Sequence, residues 1–394
     1  MTTAAPTVTD DLDPFRVEHL DDPYPLYAAL RDRGPAVHLP DRDVWLVSTY
    51  SAVSEVLRNY KQFRSGLGTS YIRVADSGFR FPFIDNDPPE HTRIRRSVQG
   101  RFHRAEVEKM TTAVRGFVRE VCSSPLAEGA ADVTTIAKAL PNLTIRDLTG
   151  VTAPDTDRMA AWADAVFHVL GPDFEPRHMD LTLESLDWLA TTGVLDLPMR
   201  SLGREILDNG GCAGGLHEGQ ERLFALASIW IAGIDTTNAL INILFDAFAR
   251  HPEQWAALRA DRSLIPAAVE EALRWDAPIR MFLRRTVDPV DLQGVTIPAD
   301  ADVVAIFPAA NRDPLAFTDP DSFDITARRR NKHLSFGASI HLCLGAPVAR
   351  LEATELLSHL ADHVGRFEFV AEPVRAKSRV IRNFESLPIR FVRG

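Results

Sequence analysis

The stretch HLSFGASIHLCLG, residues 333–345, decides the fold of this chain. It places Cys343 between Gly337 and Gly345, and glycine permits the unusual dihedral angles and close backbone approach of a tight loop. The next segment, APVARLEATELLSHLADHV (residues 346–364), has the apolar spacing of a helix. Cys343 is therefore predicted at a helix N-terminus, where free N–H groups and the helix dipole favour a thiolate, which is a soft metal ligand.

Two other interpretations of Cys343 exist. Free cysteine is often a buried structural residue that behaves as a small apolar side chain, and the residues alone leave this alternative open. A zinc site made from His333, His341 and Cys343 is disfavoured, because the sequence offers no fourth ligand at the short spacing that is typical of zinc.

Composition narrows the class of protein. The 394 residues are 45% hydrophobic and 25% charged, which is typical of a globular protein. We expect no membrane association, because no stretch approaches the roughly 20 uninterrupted apolar residues that cross a bilayer. The net charge of −10 argues against nucleic acid as a general partner. The three scattered cysteines, and first residues that do not resemble a secretory signal, favour a cytoplasmic location.

The chain shows no internal repeat or flexible linker, so we expect a single domain over residues 1–394. Helical spacing dominates from about residue 88 to residue 275. Runs typical of β-strands occur at residues 36–48 and 290–298 and again near the C-terminus. The predicted fold class is therefore mainly α with small β-sheets.

One long apolar segment, residues 226–249, is interrupted by polar residues at a single place. A helix this apolar is predicted to be buried. Gly233 leaves one face of the helix without a side chain. Asp235, Thr236 and Thr237 bring a carboxyl group and two hydroxyls into the apolar surroundings. The alternative for a helical threonine is a hydroxyl that bonds back to its own helix.

Two shorter motifs carry charge at helical spacing. HTRIR places His91 and Arg95 four residues apart, on one face of a helix, where they can bind an anionic group together. EALR places Glu271 and Arg274 three residues apart, a spacing that usually marks an exposed ion pair.

Together, HLSFGASIHLCLG, AGIDTT (residues 232–237), HTRIR, EALR and ANRDP (residues 310–314) resemble the motifs of bacterial cytochrome P450s. The resemblance covers nearly the whole chain. It implies a single-domain fold that encloses haem b between a long central helix and the cysteine loop. Ser339 departs from the family pattern, which usually has glycine at this position.

The resemblance also implies roles for individual residues. Cys343 is expected to be the axial iron ligand, and Asp235 and Thr236 are expected to relay protons to O2, the co-substrate. Glu271, Arg274 and Arg328 are expected to form a buried ion network without a catalytic role. The remaining residues expected to bind the haem are His91, Arg95, Arg284, His333, Phe336, His341 and Gly345.

The implied activity is that of a haem-thiolate monooxygenase, which inserts one oxygen atom from O2 into a C–H bond. The segments VFHVLGPDFEPR (residues 166–177), GIDTTNA (residues 233–239) and ESLP (residues 385–388) are similar to enzymes that O-demethylate para-methoxybenzoate. A terpenoid, fatty acid or other natural-product substrate is an alternative. So are a peroxide-driven enzyme and a haem-thiolate binding or sensor protein without turnover. Candidate anchors for a substrate carboxylate are Arg73, Ser228 and Arg280.

The source of electrons follows from a missing motif. The sequence has no Gly-x-Gly-x-x-Gly dinucleotide fingerprint, so a separate ferredoxin and ferredoxin reductase are expected to supply electrons from NAD(P)H. An acidic ferredoxin would need a local basic face. The candidate residues for that face are Arg101, Arg104, Arg329, Arg330 and Lys332.

Overall fold

A computed structural model describes residues 10–71, 80–152, 154–328 and 332–394. Helices form most of the described fold, as predicted, and small sheets lie beside them. The helices are α1 (Tyr24–Arg33), α2 (Tyr50–Arg58), α3 (Glu90–Val98), α4 (Arg104–Glu108), α5 (Thr111–Glu128), α6 (Thr134–Thr149), α7 (Thr156–Leu170), α8 (Pro176–Trp188), α9 (Leu202–Asn209), α10 (Gln220–Arg250), α11 (Pro252–Ala260), α12 (Ile265–Trp275), α13 (Phe307–Asn311) and α14 (Ala346–His363).

The largest sheet joins the N-terminal hairpin to strands that follow α12. Its order is β1 (Val37–Leu39), β2 (Val44–Val47), β8 (Asp302–Ile306), β5 (Met281–Thr286) and β3 (Phe63–Arg64). Only the β2–β8 pair in this sheet is parallel. The predicted hairpin over residues 36–48 is confirmed, because β1 and β2 pair in antiparallel register.

Three smaller sheets contain the other strands of the described residues. One has the order β4 (Ala130–Asp132), β12 (Pro388–Val392) and β9 (Arg366–Phe369). The other two are the pairs β6 (Val290–Leu292) with β7 (Val295–Ile297) and β10 (Val374–Arg375) with β11 (Phe384–Ser386). The strand predictions for residues 290–298 and for the C-terminal segment are therefore confirmed.

The predicted long apolar helix is α10, and it runs through the core. In the described part of the chain it is the one helix long and apolar enough to cross a membrane, and 72% of its most apolar window is buried inside the protein. Burial in the core of the fold therefore explains why this helix is so apolar. At Gly233 the helix α6 comes so close that an added Cβ would lie 2.3 Å from Cδ1 of Ile145.

Two buried clusters connect α10 to the cysteine loop and its helix. Ile231 and Ile234 belong to a cluster that includes Val348 of α14, and Ala239 belongs to another that includes Ala338. The middle of α10 is thereby held beside the loop that carries Cys343.

Candidate haem and proton-relay site

The cysteine loop, residues 333–345, is a compact turn closed by backbone hydrogen bonds. Gly337 has a φ of +69° and Ser339 a φ of +58°, so two residues occupy the left-handed region. The backbone N–H of Cys343 donates to the carbonyl of Phe336 across 2.8 Å. Ser339 reaches the conformation that glycine adopts readily, and the loop therefore folds without the glycine usual at this position.

Cys343 lies at the end of this loop, three residues before α14. It is a free cysteine with accessible surface, although many protein atoms lie around its sulfur. Burial of the sulfur among protein atoms raises the pKa of its thiol, whereas the backbone N–H groups of Gly345 and Ala346 and the charge of Arg95 lower it. The predicted effect of the helix N-terminus is therefore present, but desolvation outweighs it. Gly345 is in an ordinary helical conformation and caps α14.

Four of the predicted haem residues come together beside the loop. The rings of His91 and His341 lie 4.4 Å apart, and Nη2 of Arg95 donates to the carbonyl of Leu342 across 2.7 Å. Burial, then the charge of Arg95, lowers the pKa of His91 to about 4. Burial, then the charge of Arg284, lowers the pKa of His341 to about 2. Both imidazoles are therefore neutral at pH 7.

His91 and Arg284 are buried, yet His91 lacks a hydrogen-bond partner and Arg284 lacks a carboxylate partner among the described residues. Neither ring nitrogen of His91 has a hydrogen-bond partner within the described residues. Arg284 is 5% exposed, donates to the carbonyl of Leu283, and has no ion pair with any carboxylate in the described ranges. Buried polar groups are normally satisfied, so these donors indicate an anionic group that completes the site.

His333 has a different environment from the one predicted. Its Nε2 lies 3.2 Å from Oε2 of Glu270, and the same carboxylate accepts from Nε of Arg350 across 2.6 Å. Burial opposes ionisation of Glu270, but the bonds from His333 and Arg350 lower its pKa to about 2. The guanidinium carbon of Arg350 lies over the ring of Phe336, 4.6 Å from the ring centre. His333 and Phe336 thus brace the cysteine loop against α12 and α14.

The polar interruption of α10 contains the predicted relay pair. Asp235 is 4% exposed, its Oδ1 accepts from Nδ2 of Asn238 across 3.3 Å, and its Oδ2 has no partner among the described residues. Burial, then repulsion from Asp164, raises the pKa of Asp235 to about 7. The hydroxyl of Thr236 donates back to the carbonyl of Ala232 across 2.8 Å. That bond is the alternative considered for a helical threonine, and it leaves the oxygen of Thr236 free to accept.

The residues fit the haem that the resemblance implies. Ala232 is exposed and Thr236 half-buried in the middle of an otherwise buried helix, so an open space lies beside α10. Cys343 is exposed as well. His91, which has no hydrogen-bond partner among the described residues, and Arg284, which has no carboxylate partner there, suit the carboxylates of haem. Haem bound here would be held by Cys343, His91, Arg95, Arg284 and His341. When bound through a cysteine thiolate, haem supplies dioxygen activation and O–O cleavage.

The predicted Glu-x-x-Arg network is buried as expected. Glu271 and Arg274 form a two-pronged ion pair with both N–O distances at 2.8 Å. Arg274 also donates to the carbonyls of Asn311, Pro320 and Ser322. Arg328 is exposed, so it does not occupy the predicted third, buried position.

Two candidate substrate anchors are already engaged elsewhere. Ser228 donates to the carbonyl of Phe224 in its own helix across 2.7 Å. Arg280 is 1% exposed and donates to the carbonyl of Leu20 across 2.6 Å. The third candidate, Arg73, lies outside the described residues.

The predicted basic face is only partly described. Arg101 pairs with Glu205 and Arg104 with Glu108, while Lys332 is exposed. Arg329 and Arg330 lie outside the described residues.

Sequence reasoning missed the amides that hold Asp235. Nδ2 of Asn242 donates to Oδ1 of Asn238 across 3.0 Å and to Oδ1 of Asn383 across 2.8 Å. The spacing of Asp235, Asn238 and Asn242 along one helix face was a visible signal for part of this chain of contacts. The contact with Asn383, near the C-terminus, had no such signal.

Comparisons with known proteins identify the family of this chain. A model of the cytochrome P450 family matches residues 220–384. The chain is 36% identical to cytochrome P450 monooxygenase PikC of Streptomyces venezuelae, over 100% of this chain and 96% of that one. It is 31% identical to cytochrome P450 CYP199A2 of Rhodopseudomonas palustris, over 96% of this chain and 93% of that one.

A solved structure of cytochrome P450 CREJ in complex with (4-ethylphenyl) dihydrogen phosphate is also similar. Its TM-score is 0.83 at 27% identity, covering 96% of this chain and 98% of that one. The fold, the cysteine loop and the relatives agree on a haem-binding oxidoreductase that uses O2. This chain belongs to the cytochrome P450 family of monooxygenases.

Proposed function

We propose that this cytochrome P450 hydroxylates or O-demethylates a small para-substituted aromatic acid, such as 4-methoxybenzoate. Similarity to CREJ, whose structure was solved with (4-ethylphenyl) dihydrogen phosphate, supports this substrate class. The ligand in the CREJ structure is an aromatic ring with an alkyl group para to an anionic group. 4-Methoxybenzoate has the same arrangement of a small carbon group, a ring and an anion.

The reaction follows from where the oxygen atom enters. Hydroxylation of the methoxy carbon gives a hemiacetal, which collapses to the phenol and formaldehyde. A para-alkyl acid would be hydroxylated and would keep its carbon skeleton. In both cases the apolar wall of α10 excludes bulk water, and substrate contacts set which C–H bond lies nearest the oxidant.

Turnover of dioxygen, rather than sensing or use of peroxide, is supported by the environment of Asp235. This is the observation that carries the proposal. A buried carboxyl with a pKa of about 7, followed in the chain by the hydroxyl of Thr236, matches a proton donor that works near neutral pH. A sensor, or an enzyme that receives peroxide, does not need protons delivered at this point. In our proposal Asp235 gives its proton toward Thr236, whose oxygen is free to accept.

A ferredoxin and its reductase are proposed as the electron donors, in the cytoplasm. The proposal is supported by the lack of a dinucleotide fingerprint. Lys332 is exposed and suits an acidic partner, whereas Arg101 and Arg104 are already paired with glutamates.

A second candidate is a monooxygenase that acts on a terpenoid, a fatty acid or another natural-product scaffold. It is favoured by similarity to solved structures of P450BioI with a hexadec-9Z-enoic acid ligated acyl carrier protein and of CYP109E1 with testosterone. Ser228 and Arg280, two of the candidate carboxylate anchors, also donate to backbone carbonyls elsewhere.

A binding screen separates the two candidates. The ferric protein is titrated with 4-methoxybenzoate, its methyl ester, 4-ethylbenzoate, a fatty acid and a terpenoid, and the shift of the haem spectrum is recorded. We expect 4-methoxybenzoate and 4-ethylbenzoate to give the largest shift. The methyl ester should bind at least about tenfold more weakly than 4-methoxybenzoate, since it lacks a charge worth about 1.4 kcal/mol or more. Tighter binding of the ester or the terpenoid would support the second candidate instead.

Turnover is then measured with a ferredoxin, its reductase and NADH. We expect 4-methoxybenzoate to yield 4-hydroxybenzoate and formaldehyde in equal amounts. Consumption of NADH that never yields an oxygenated product from any compound of the screen would contradict the proposed activity. Product formation with hydrogen peroxide alone, at a rate equal to that with NADH, would favour the peroxide-driven alternative.

A further inference from the structure

A cavity of about 560 Å³ lies where α10 and α12 end. Its walls come from the start of α1, the ends of α10 and α12, the residue after α13, and the C-terminal segment that contains β10 and β11. This volume lies within the range of small-molecule sites. The charged part of the lining consists of five basic and five acidic side chains.

The cavity is separate from the haem site. None of the described residues assigned to haem or to the proton relay lines it. Asp246 of the cavity comes ten residues after Thr236 on α10, which corresponds to about 15 Å along the helix axis. A ligand in this cavity therefore lies on a different part of α10 from the substrate.

Two buried carboxylates line the cavity, and arginines already bind both of them. Asp246 is 0% exposed and accepts from Nε of Arg250 across 2.8 Å and from Nη2 of Arg375 across 3.3 Å. Asp276 is 1% exposed and accepts from Nε of Arg382, and its Oδ2 lies 3.2 Å from Nη1 of Arg375. A metal ion would have to displace these guanidinium groups, so the two carboxylates do not form a cation site.

The arginines of the lining keep unused hydrogen-bond donors. Arg312 is 7% exposed and Arg382 is 4% exposed, yet Nη2 of each donates to no acceptor in the described ranges. Neither Nη2 atom is fully enclosed by protein, and both residues line the cavity. Arg250 donates only from Nε within the described part of the chain. Donors of buried residues are normally satisfied, so these groups indicate a ligand that accepts hydrogen bonds.

The charges of the arginines favour an anion as that ligand. Four guanidinium groups, those of Arg250, Arg312, Arg375 and Arg382, face the two buried carboxylates, which leaves an excess of two positive charges. Arg312 also lies 3.3 Å from Asp321, whose side chain is 77% exposed. Burial, then the charge of Arg382, lowers the pKa of Arg375 to about 10, and a further negative charge would oppose that shift.

The other charged side chains of the lining lie on its solvent side. Asp21, Asp22, Glu372 and Lys377 are exposed, and Lys377 pairs with Asp21. Water and salt screen exposed charges, so these four contribute less to the binding of an ion than the buried arginines do.

We propose that this cavity binds a small organic dianion, a compound that carries a phosphate group or two carboxylates on a carbon skeleton. Its oxygens accept hydrogen bonds from the free N–H groups of Arg250, Arg312 and Arg382, because guanidinium groups match the geometry of such oxygens. An ion of the size of inorganic phosphate fills only part of the cavity. The aromatic side chains of Trp275 and Phe384 in the lining suit the carbon skeleton.

Binding should also stabilise the fold. Arg250 ends α10, Arg312 follows α13, and Arg382 precedes β11, so the ligand connects parts of the chain that are far apart in sequence. The unfolded chain cannot bring these groups together. A ligand that binds only the folded protein raises its melting temperature as the ligand concentration rises.

Calorimetry on the ferric holoprotein tests the binding. The probes are glucose 6-phosphate and succinate, and glucose and inorganic phosphate are the comparison compounds. We expect at least one of the two organic dianions to bind stoichiometrically and to raise the melting temperature, and we expect glucose not to bind. The dianion that binds more tightly shows whether the site prefers a phosphate or two carboxylates. Inorganic phosphate that binds as tightly as both would overturn the organic class of ligand.

Arginine variants test the position of the ligand. Arg250→Gln and Arg312→Gln should each weaken binding about tenfold or more, since each removes charged donors. Arg250 is exposed, so its variant is expected to fold even if Arg312→Gln does not. Arg119→Gln, at an exposed arginine of α5, removes the same charge outside the cavity and should leave the affinity unchanged.

The inference is wrong if neither dianion gives heat of binding or a higher melting temperature at up to about 10 mM. It is also wrong if Arg250→Gln binds the dianion as tightly as the wild type does. A shift of the haem spectrum that follows the binding curve would place the ligand at the haem and would overturn the cavity as its site. None of these measurements involves turnover, so their failure leaves the proposed function untouched.

Discussion

Asn238 donates its side-chain amide to Oδ1 of Asp235 across 3.3 Å, from one turn further along α10. Asn242 in turn donates to both Asn238 and Asn383, so the amides connect the helix to the C-terminal strands. The carboxyl of Asp235 is thereby held by one oxygen, while Oδ2 is left without a partner among the described residues. Proton transfer requires such a held but available oxygen.

Thr236→Ala should keep its haem and divert electrons into hydrogen peroxide. The change removes the oxygen that is available to accept a proton from Asp235, without removing any haem-binding residue. We expect the product formed per NADH to fall roughly tenfold or more. Thr236→Ser keeps a hydroxyl and should restore most of the yield. Equal yields for the alanine variant and the wild type would contradict a role for the hydroxyl.

Cys343→Ala should abolish the absorbance band of the reduced CO complex near the blue edge of the visible spectrum. That band reports a thiolate bound to iron, and no other described cysteine replaces Cys343 in the loop. Cys212→Ala is the matched control, since Cys212 is also exposed and free. A band that persists in Cys343→Ala, or disappears in Cys212→Ala, would mean that the ligand is assigned to the wrong residue.

Ser339→Gly should stabilise the protein. Ser339 has a φ of +58°, in the left-handed region, where a Cβ costs about 1–2 kcal/mol. Glycine removes that strain but gains freedom in the unfolded chain, so the net gain in the free energy of unfolding is up to about 1 kcal/mol. Denaturant unfolding of the holoprotein measures it. The neighbouring Ala338 is extended, with a φ of −151°, so Ala338→Gly should destabilise. Destabilisation by both changes would show that the left-handed turn carries no strain.

Glu352→Gln should flatten the dependence of stability on pH. Glu352 of α14 is 0% exposed, and burial raises the pKa of its carboxyl to about 8, although the Thr144 hydroxyl opposes the shift. Between the usual value of 4.5 and about 8 the folded state holds a proton that the unfolded state has lost. Stability therefore falls as pH rises through this range, by at most about 1.4 kcal/mol per pH unit.

The melting temperature at pH 5 and at pH 8 tests this. We expect the melting temperature to fall less from pH 5 to pH 8 in Glu352→Gln than in the wild type. Asp147→Asn, an exposed aspartate on α6, should show the same loss as the wild type. An identical loss in all three proteins would mean that the pKa of Glu352 is not raised in the folded state.

Local patterns predicted the parts of this site that lie close together in the chain. The loop around Cys343, the central helix with Asp235 and Thr236, and the helix with His91 and Arg95 all follow from spacing and residue type. Family resemblance then connected them, because the residues alone left Cys343 open to a structural role. The role that the resemblance implied for Arg328 was wrong, because Arg328 is exposed.

Sequence by itself thus determined the fold class, the loop and the polar interruption of α10, because periodicity and turn chemistry act over a few residues. Only the tertiary structure decided that His333 pairs with Glu270 and that Arg280 points at Leu20. These contacts depend on which helix faces pack together, and burial then sets the charge of each group. Residues far apart in the chain carry no local pattern that records such packing.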